Sequence, residues 1–282
     1  TIEDEELTEE TPVGDREEIQ GPYKPVAVMI ENSPAARPQS GLIDADVVYE
    51  IYVEGGITRF LALFLSRYPE IAGPVRSVRH YYLDIAQEWD TYLVHFGGSP
   101  LAREQFDKVS IRRLDGITGN NLFWRDNSRK APHNAYIDTA KCRELIDFEQ
   151  KRREIKFTKE PPTVGEPYSS ITIPYNSTFS KVEYTYDESL GKNMRGTSGT
   201  PSTNKEDGEQ LFADNIVVQY VGHEKMDSGV GYKKVDLIGS GKAQYFIGGK
   251  YLEGSWDRSS GESPTQFLDG NGEEIEFMEG NI

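Results

Sequence analysis

Thirteen of the sixteen arginines in this 282-residue chain lie between residues 21 and 157, and several sit where a turn meets a strand or helix. Arg59 follows the diglycine of GGITR, and Arg76 and Arg79 open a helical stretch in AGPVRSVRHY. Their i, i+3 spacing would place both on one helical face. Guanidiniums at a helix N-terminus oppose the positive end of its dipole. An anion held there by arginines and free amides would relieve that conflict. Ion pairs to Glu50, Glu54 or Asp84 are the competing use of the same charges. Arg37, in a proline-bounded loop, either joins this cluster or is exposed.

Two further segments carry side chains fit for proton transfer or ligand binding. YLVHFGGSP puts His95 near the C-terminal end of a strand, where open α/β sheets place their ligands. Ser99 then caps a helix that has Pro100 at its first position. WRDNSRKAPHNAY, residues 124–136, gathers His133 and Asn134 among Arg125, Arg129 and Lys130 in a loop that buries little. Each histidine is open to a bland reading as a ring bonded to a neighbour. Cys142 is the only cysteine and reads as a small core residue on a helix, with nothing to activate it. The four histidines show no metal-ligand spacing, and no phosphate-loop, dinucleotide or nucleophile-elbow motif is present. No metal or cofactor is implied.

The elements that must hold these groups follow from periodicity. Val26–Ile30 reads as a buried strand, and ITRFLALF as one covered on both faces. Gly55-Gly56 marks a hairpin. Ser77–Trp89 repeats apolar residues every three to four positions, as a helix does. DTAKCRELIDFEQKRRE reads as a capped amphipathic helix, and residues 158–167 as a linker or crossover. Beyond it, short strands recur with turn signals every 8–12 residues, with a long polar loop or hairpin tip over residues 190–210. The expectation is α+β overall: an acidic flexible leader (1–21), an N-terminal α/β domain with a mixed sheet (22–157) and a β-rich C-terminal domain (158–282).

Charge follows the same division. The formal net charge is −16. Residues 1–20 hold nine acids against one base, residues 21–157 eighteen against nineteen, and residues 158–282 twenty against eleven. Such a balance excludes nucleic acid as a partner and argues against a basic membrane-surface helix. No apolar stretch is long enough to span a bilayer.

Several blocks together resemble a known family. VMIENSPAARPQSGLIDADVVYEIYVEGGITRFLALF, GPVRSVRHYYLDIAQEWD, VHFGGSP, RKAPHNAY, DGEQLFADNIVVQYV, GSGKAQYFIGGKYLEGSW and FLDGNGEEIEF look like the YerB-like bacterial lipoprotein family, over roughly residues 22–282. That family has two domains and an uncharacterised function. The resemblance implies Gram-positive-type export, a lipidated cysteine upstream of Thr1 and residence on the outer face of the cell membrane. It supplies no catalytic residues.

Together these readings give an extracytoplasmic, membrane-tethered binding or scaffolding protein. Arg37, Arg59, Arg76, Arg79, His95, Ser99, His133 and Asn134 would hold an anionic cell-wall polymer or a carboxylate, or meet an envelope protein. The alternative is a hydrolase or transferase acting on envelope polymers, with His95 or His133 as base. A third reading makes the arginines purely structural.

Overall fold

The computed structural model of the chain describes residues 22–119, 121–148, 150–175, 181–227 and 229–282. The acidic leader expected over residues 1–21 lies outside them. Strands make up 41% and helices 12%. The α+β description holds, with the sheets dominating more than expected.

Five strands form the first sheet: β1 (Val26–Glu31), β2 (Val47–Tyr52), β3 (Thr58–Phe64), β4 (Tyr92–His95) and β5 (Arg112–Asp115), in the order β2-β3-β1-β4-β5. The sheet is mixed. β1 and β2 run antiparallel to β3, while β4 runs parallel to both β1 and β5. β1 and β3 are buried along their whole lengths, as continuous apolar runs require. On one face, Met29, Leu61 and Leu63 pack with Tyr81, Ile85 and Trp89 around helix α1 (His80–Glu88). On the other, Val28, Phe60 and Val94 pack with Ile137, Cys142 and Ile146. Each such side chain contributes about 1.5–3 kcal/mol when fully buried.

The remaining helices are short. Helix α2 (Pro100–Gln105) begins as expected, with Ser99 accepting from the Ala102 N–H at 3.2 Å. The hairpin β6 (Phe123–Arg125) and β7 (Ala135–Ile137) carries the polar loop between its strands. Helix α3 (Thr139–Glu144) is capped by Asp138 and is much shorter than its sequence pattern suggests. Leu145, assigned to its apolar face, is exposed. The Lys151 N–H bonds the Asp90 carboxylate at 2.7 Å, drawing the chain away from the helical path.

Beyond residue 157 the described residues contain only strands and irregular structure. One sheet is built around Ser170–Pro174, Lys181–Asp187 and Lys192–Thr197; another runs Asn215–Gln219, Gly239–Ile247, Lys250–Arg258 and Gln266–Leu268. Of the two readings of residues 190–210, the hairpin tip holds in part, since Lys192–Thr197 turns back onto Thr200–Pro201, and the stretch 158–167, expected as a linker or crossover, contains short paired segments. The two halves share their interior, since Val235 and Leu237 sit in the same core cluster as Tyr81 and Trp89. A buried charge cluster clamps them: Glu88 meets Arg153 at 2.7 Å and Arg258 at 3.2 Å, and accepts from the Thr265 N–H at 2.7 Å.

Candidate functional site

The parallel strands β1, β4 and β5 all end at the same edge of the sheet, and each ends on a polar residue: Glu31, His95 or Asp115. β1 and β4 pair only as far as Val28 and Val94 and then separate. The segment Pro74–Val78 fills the gap. The Arg76 N–H bonds the Met29 carbonyl at 2.8 Å, the Phe96 N–H bonds the Arg76 carbonyl at 3.0 Å, and the Val78 N–H bonds the Gly97 carbonyl at 3.0 Å. Such a divergence between strand C-termini is where α/β sheets leave room for ligands.

This packing corrects the helical placement of the arginine pair. Helix α1 starts at His80, so Arg79 is its extended N-cap and Arg76 lies on an extended segment. The two arginines are brought together by the splayed sheet and not by a helical face. Arg59 joins them from β3, where it stands opposite Glu31 in the β1–β3 register. The Arg59 and Arg79 guanidiniums both donate to the Ser77 carbonyl, the latter at 3.2 Å.

Charge in this cluster is only partly matched. Arg79 makes two bonds to the Glu54 carboxylate, at 2.7 and 2.6 Å. Burial raises the Glu54 pKa, but the paired guanidinium outweighs that and leaves it lowered. Arg76 Nε lies 3.3 Å from Glu31 Oε2. Arg59 is 4% exposed, and its Nε has no hydrogen-bond partner among the described residues. Burial, followed by the neighbouring Arg79 and Arg76 charges, holds its pKa down to about 10.

His133 reaches the same carboxylate from the loop between β6 and β7. Its Nδ1 lies 2.9 Å from Glu31 Oε2. Ser33 Oγ donates to Glu31 Oε1 at 3.0 Å and lies 3.4 Å from His133 Nδ1. Arg129 positions this loop by donating to the Ala36 and Pro38 carbonyls at 2.7 and 2.6 Å. Asn134 holds its base: its side chain accepts from Arg125 at 2.7 Å and donates to the Asp126 and Arg129 carbonyls at 3.1 Å.

The sequence candidates therefore divide. Arg59, Arg76, Arg79 and His133 converge around Glu31 and Glu54. Ser99 is occupied as a helix cap and Asn134 as a loop tie. Arg37 belongs to an adjacent network, bonding the Asn32 side chain and carbonyl at 3.0 and 2.8 Å. His95 is fully buried, with Nδ1 2.9 Å from the Gly97 carbonyl and its ring against Phe106. Burial lowers its pKa despite Asp115 at 3.8 Å. Gly97 has φ +74°, and a Cβ there would lie 2.8 Å from Ile117 Cδ1, so the turn after β4 requires glycine. Glu31 was missed as a site residue. Its signal was a carboxylate closing an otherwise apolar buried strand, where burial demands a partner.

Comparisons with known proteins agree with this architecture. Residues 11–153 match the model described as the N-terminal domain of the protein of unknown function DUF3048, and residues 171–282 match its C-terminal domain. The chain is 35% identical over 247 residues to a Bacillus subtilis (strain 168) protein named "Putative lipoprotein YerB", covering 84% of this chain and 74% of that protein. It superposes on the crystal structure of the YerB protein from Bacillus subtilis with a TM-score of 0.82 and 31% identity, covering 96% of this chain and 93% of the other.

Proposed function

The chain belongs to the DUF3048 family, and on that premise we propose that it is an extracytoplasmic lipoprotein, tethered at the outer face of the membrane, that binds an anionic group with its first half. We read residues 22–157 and 158–282 as its two domains, the first carrying the ligand site and the second facing a partner. The lipoprotein name of the Bacillus subtilis relative supports the tether. No described helix is long and apolar enough to cross a membrane.

One observation carries the binding reading. Three guanidiniums, Arg59, Arg76 and Arg79, gather at the strand C-termini with two carboxylates, Glu31 and Glu54, and burial, followed by the neighbouring guanidinium charges, lowers the pKa of Arg59. An anion would relieve this excess of positive charge. Cell-wall polymers with phosphate groups and peptide carboxylates both have suitable chemistry. Thermal unfolding in phosphate against chloride at equal ionic strength tests it. At one hundred times Kd, binding adds about 2.7 kcal/mol to stability. The gain should vanish in Arg76→Gln; an equal gain in both proteins would contradict the proposal.

The Glu31–His133 contact favours a second reading. A carboxylate on Nδ1 fixes the ring and leaves Nε2 to act as base, with the arginines stabilising an oxyanion or phosphate. Turnover of wall-polymer fragments that disappears in His133→Gln would establish it. Unchanged turnover in that variant would reject it.

A further inference from the structure

Glu31 fixes the ring of His133 in one tautomer. The carboxylate is 2% exposed and closes strand β1. Its Oε1 accepts from Ser33 Oγ at 3.0 Å, and its Oε2 lies 2.9 Å from His133 Nδ1. An ionised carboxylate only accepts, so the neutral ring carries its proton on Nδ1. Nε2 is then a lone pair, and it has no partner among the described residues.

Arg76 meets the same oxygen from the Pro74–Val78 segment. Its Nε lies 3.3 Å from Glu31 Oε2, and its guanidinium makes no hydrogen bond among the described residues. Both side chains reach solvent, Arg76 at 27% exposure and His133 at 28%. Of the other two guanidiniums, Arg59 is buried and Arg79 is held by Glu54. An open donor and an open acceptor therefore stand together at one carboxylate oxygen.

That pair discriminates among anions. A carboxylate or a phosphate diester offers acceptors alone, which suit Arg76 but face the lone pair of Nε2. A ligand with a hydroxyl near its anionic group answers both side chains. Its oxyanion accepts from Arg76, and its O–H donates to Nε2.

We propose that the ligand is a polyol phosphate diester, with its phosphate on Arg76 and a neighbouring hydroxyl on His133 Nε2. The ester link gives the two groups the reach to meet separate side chains. The hydroxyl contact rests on the anion-binding role proposed for Arg76 and adds the chemistry of the group beside the anion. A polyol phosphate polymer repeats this diester, and the headgroup of phosphatidylglycerol contains it.

The test titrates the 282-residue chain with glyceryl methyl phosphate and propyl methyl phosphate, which differ only in their hydroxyls. The first should bind at least about fivefold more tightly. Ring nitrogen NMR should show the His133 proton on Nδ1, and the Nε2 signal should move with the glyceryl diester and not with the propyl one. His133→Asn keeps a donor where Nδ1 stands and has nothing at Nε2. It should bind both diesters as the wild type binds the propyl one, whereas Arg76→Gln should weaken both. Vesicles of phosphatidylglycerol and phosphatidylcholine in equal parts separate the sources. Vesicle binding that the soluble glyceryl diester displaces supports a lipid headgroup, and soluble binding without vesicle binding supports a polymer. Equal binding of the two diesters by the wild type, weakened in Arg76→Gln, would keep the anion site and overturn the hydroxyl contact. A ring with its proton on Nε2 would also overturn it. Binding of neither diester would overturn the anion-binding role together with it.

Discussion

His95 and His133 are the two candidate bases in the sequence, one closing a strand two residues before Gly97 and the other following Pro132 in a polar loop, and the fold assigns them opposite environments. His95 is sealed between β4 and Phe106, whereas His133 is partly open and bonded to Glu31. Because burial lowers the His95 pKa, protons bind the unfolded chain first. Stability from this ring is full above about pH 6.5 and declines as pH falls through that value. Ring NMR should place the His95 midpoint below the ordinary value of about 6.5; a midpoint at or above it would contradict its burial. Cys142 is equally sealed, its thiol pushed up to about 12 by burial, and should resist alkylation until the protein unfolds. Its inertness was legible from the sequence. The role of Ser99 was legible only as a cap: the Ser-Pro pair located the helix start, and that same bond removes the hydroxyl from ligand binding. Ser99→Ala should cost about 1 kcal/mol in denaturant unfolding.

Among the elements, strands β1 and β3 were readable because apolar runs leave little choice but a doubly covered strand. The start of helix α1 was not, since apolar spacing cannot distinguish the extended Pro74–Val78 segment, held by β1 and β4, from a first helical turn. The Lys192–Thr197 strand was missed for a different reason. Its inward residues, Asn193, Arg195 and Thr197, are polar, so hydropathy gives no alternation. They are buried because they are bonded: Asn193 donates to the Ala213 carbonyl at 3.1 Å and Arg195 meets Glu50 at 3.0 Å. At this scale the turn between β2 and β3 is fastened by Arg79 on Glu54. Glu54→Gln should destabilise the chain by about 2 kcal/mol, because Arg79 would lose its charged partner in a mostly buried place. An unchanged denaturation midpoint would show that solvent satisfies Arg79 instead.

For the whole molecule, composition separated an arginine-rich first half from an acidic second half, and the strands of both halves were largely readable in outline. How the halves join was not, since Glu88 and Arg258 are 170 residues apart in sequence and carry no local signal. Their cluster with Arg153 is almost fully buried. Arg258→Ala should leave Glu88 short of a partner and cost about 3–5 kcal/mol. Because the core is shared, the wild-type chain should still unfold in one calorimetric transition; two resolved transitions would mean that the halves are coupled only weakly.

The central claim concerns the guanidiniums gathered where β1 and β4 diverge, and the Nε–H signals of Arg59 and Arg76 report on it most directly. Titration with inorganic phosphate at constant ionic strength should move both signals along a saturable curve, and the Arg59 shift should require at least about tenfold more phosphate in Arg76→Gln. Signals that stay fixed, or that move linearly and equally with chloride, would contradict an anion site.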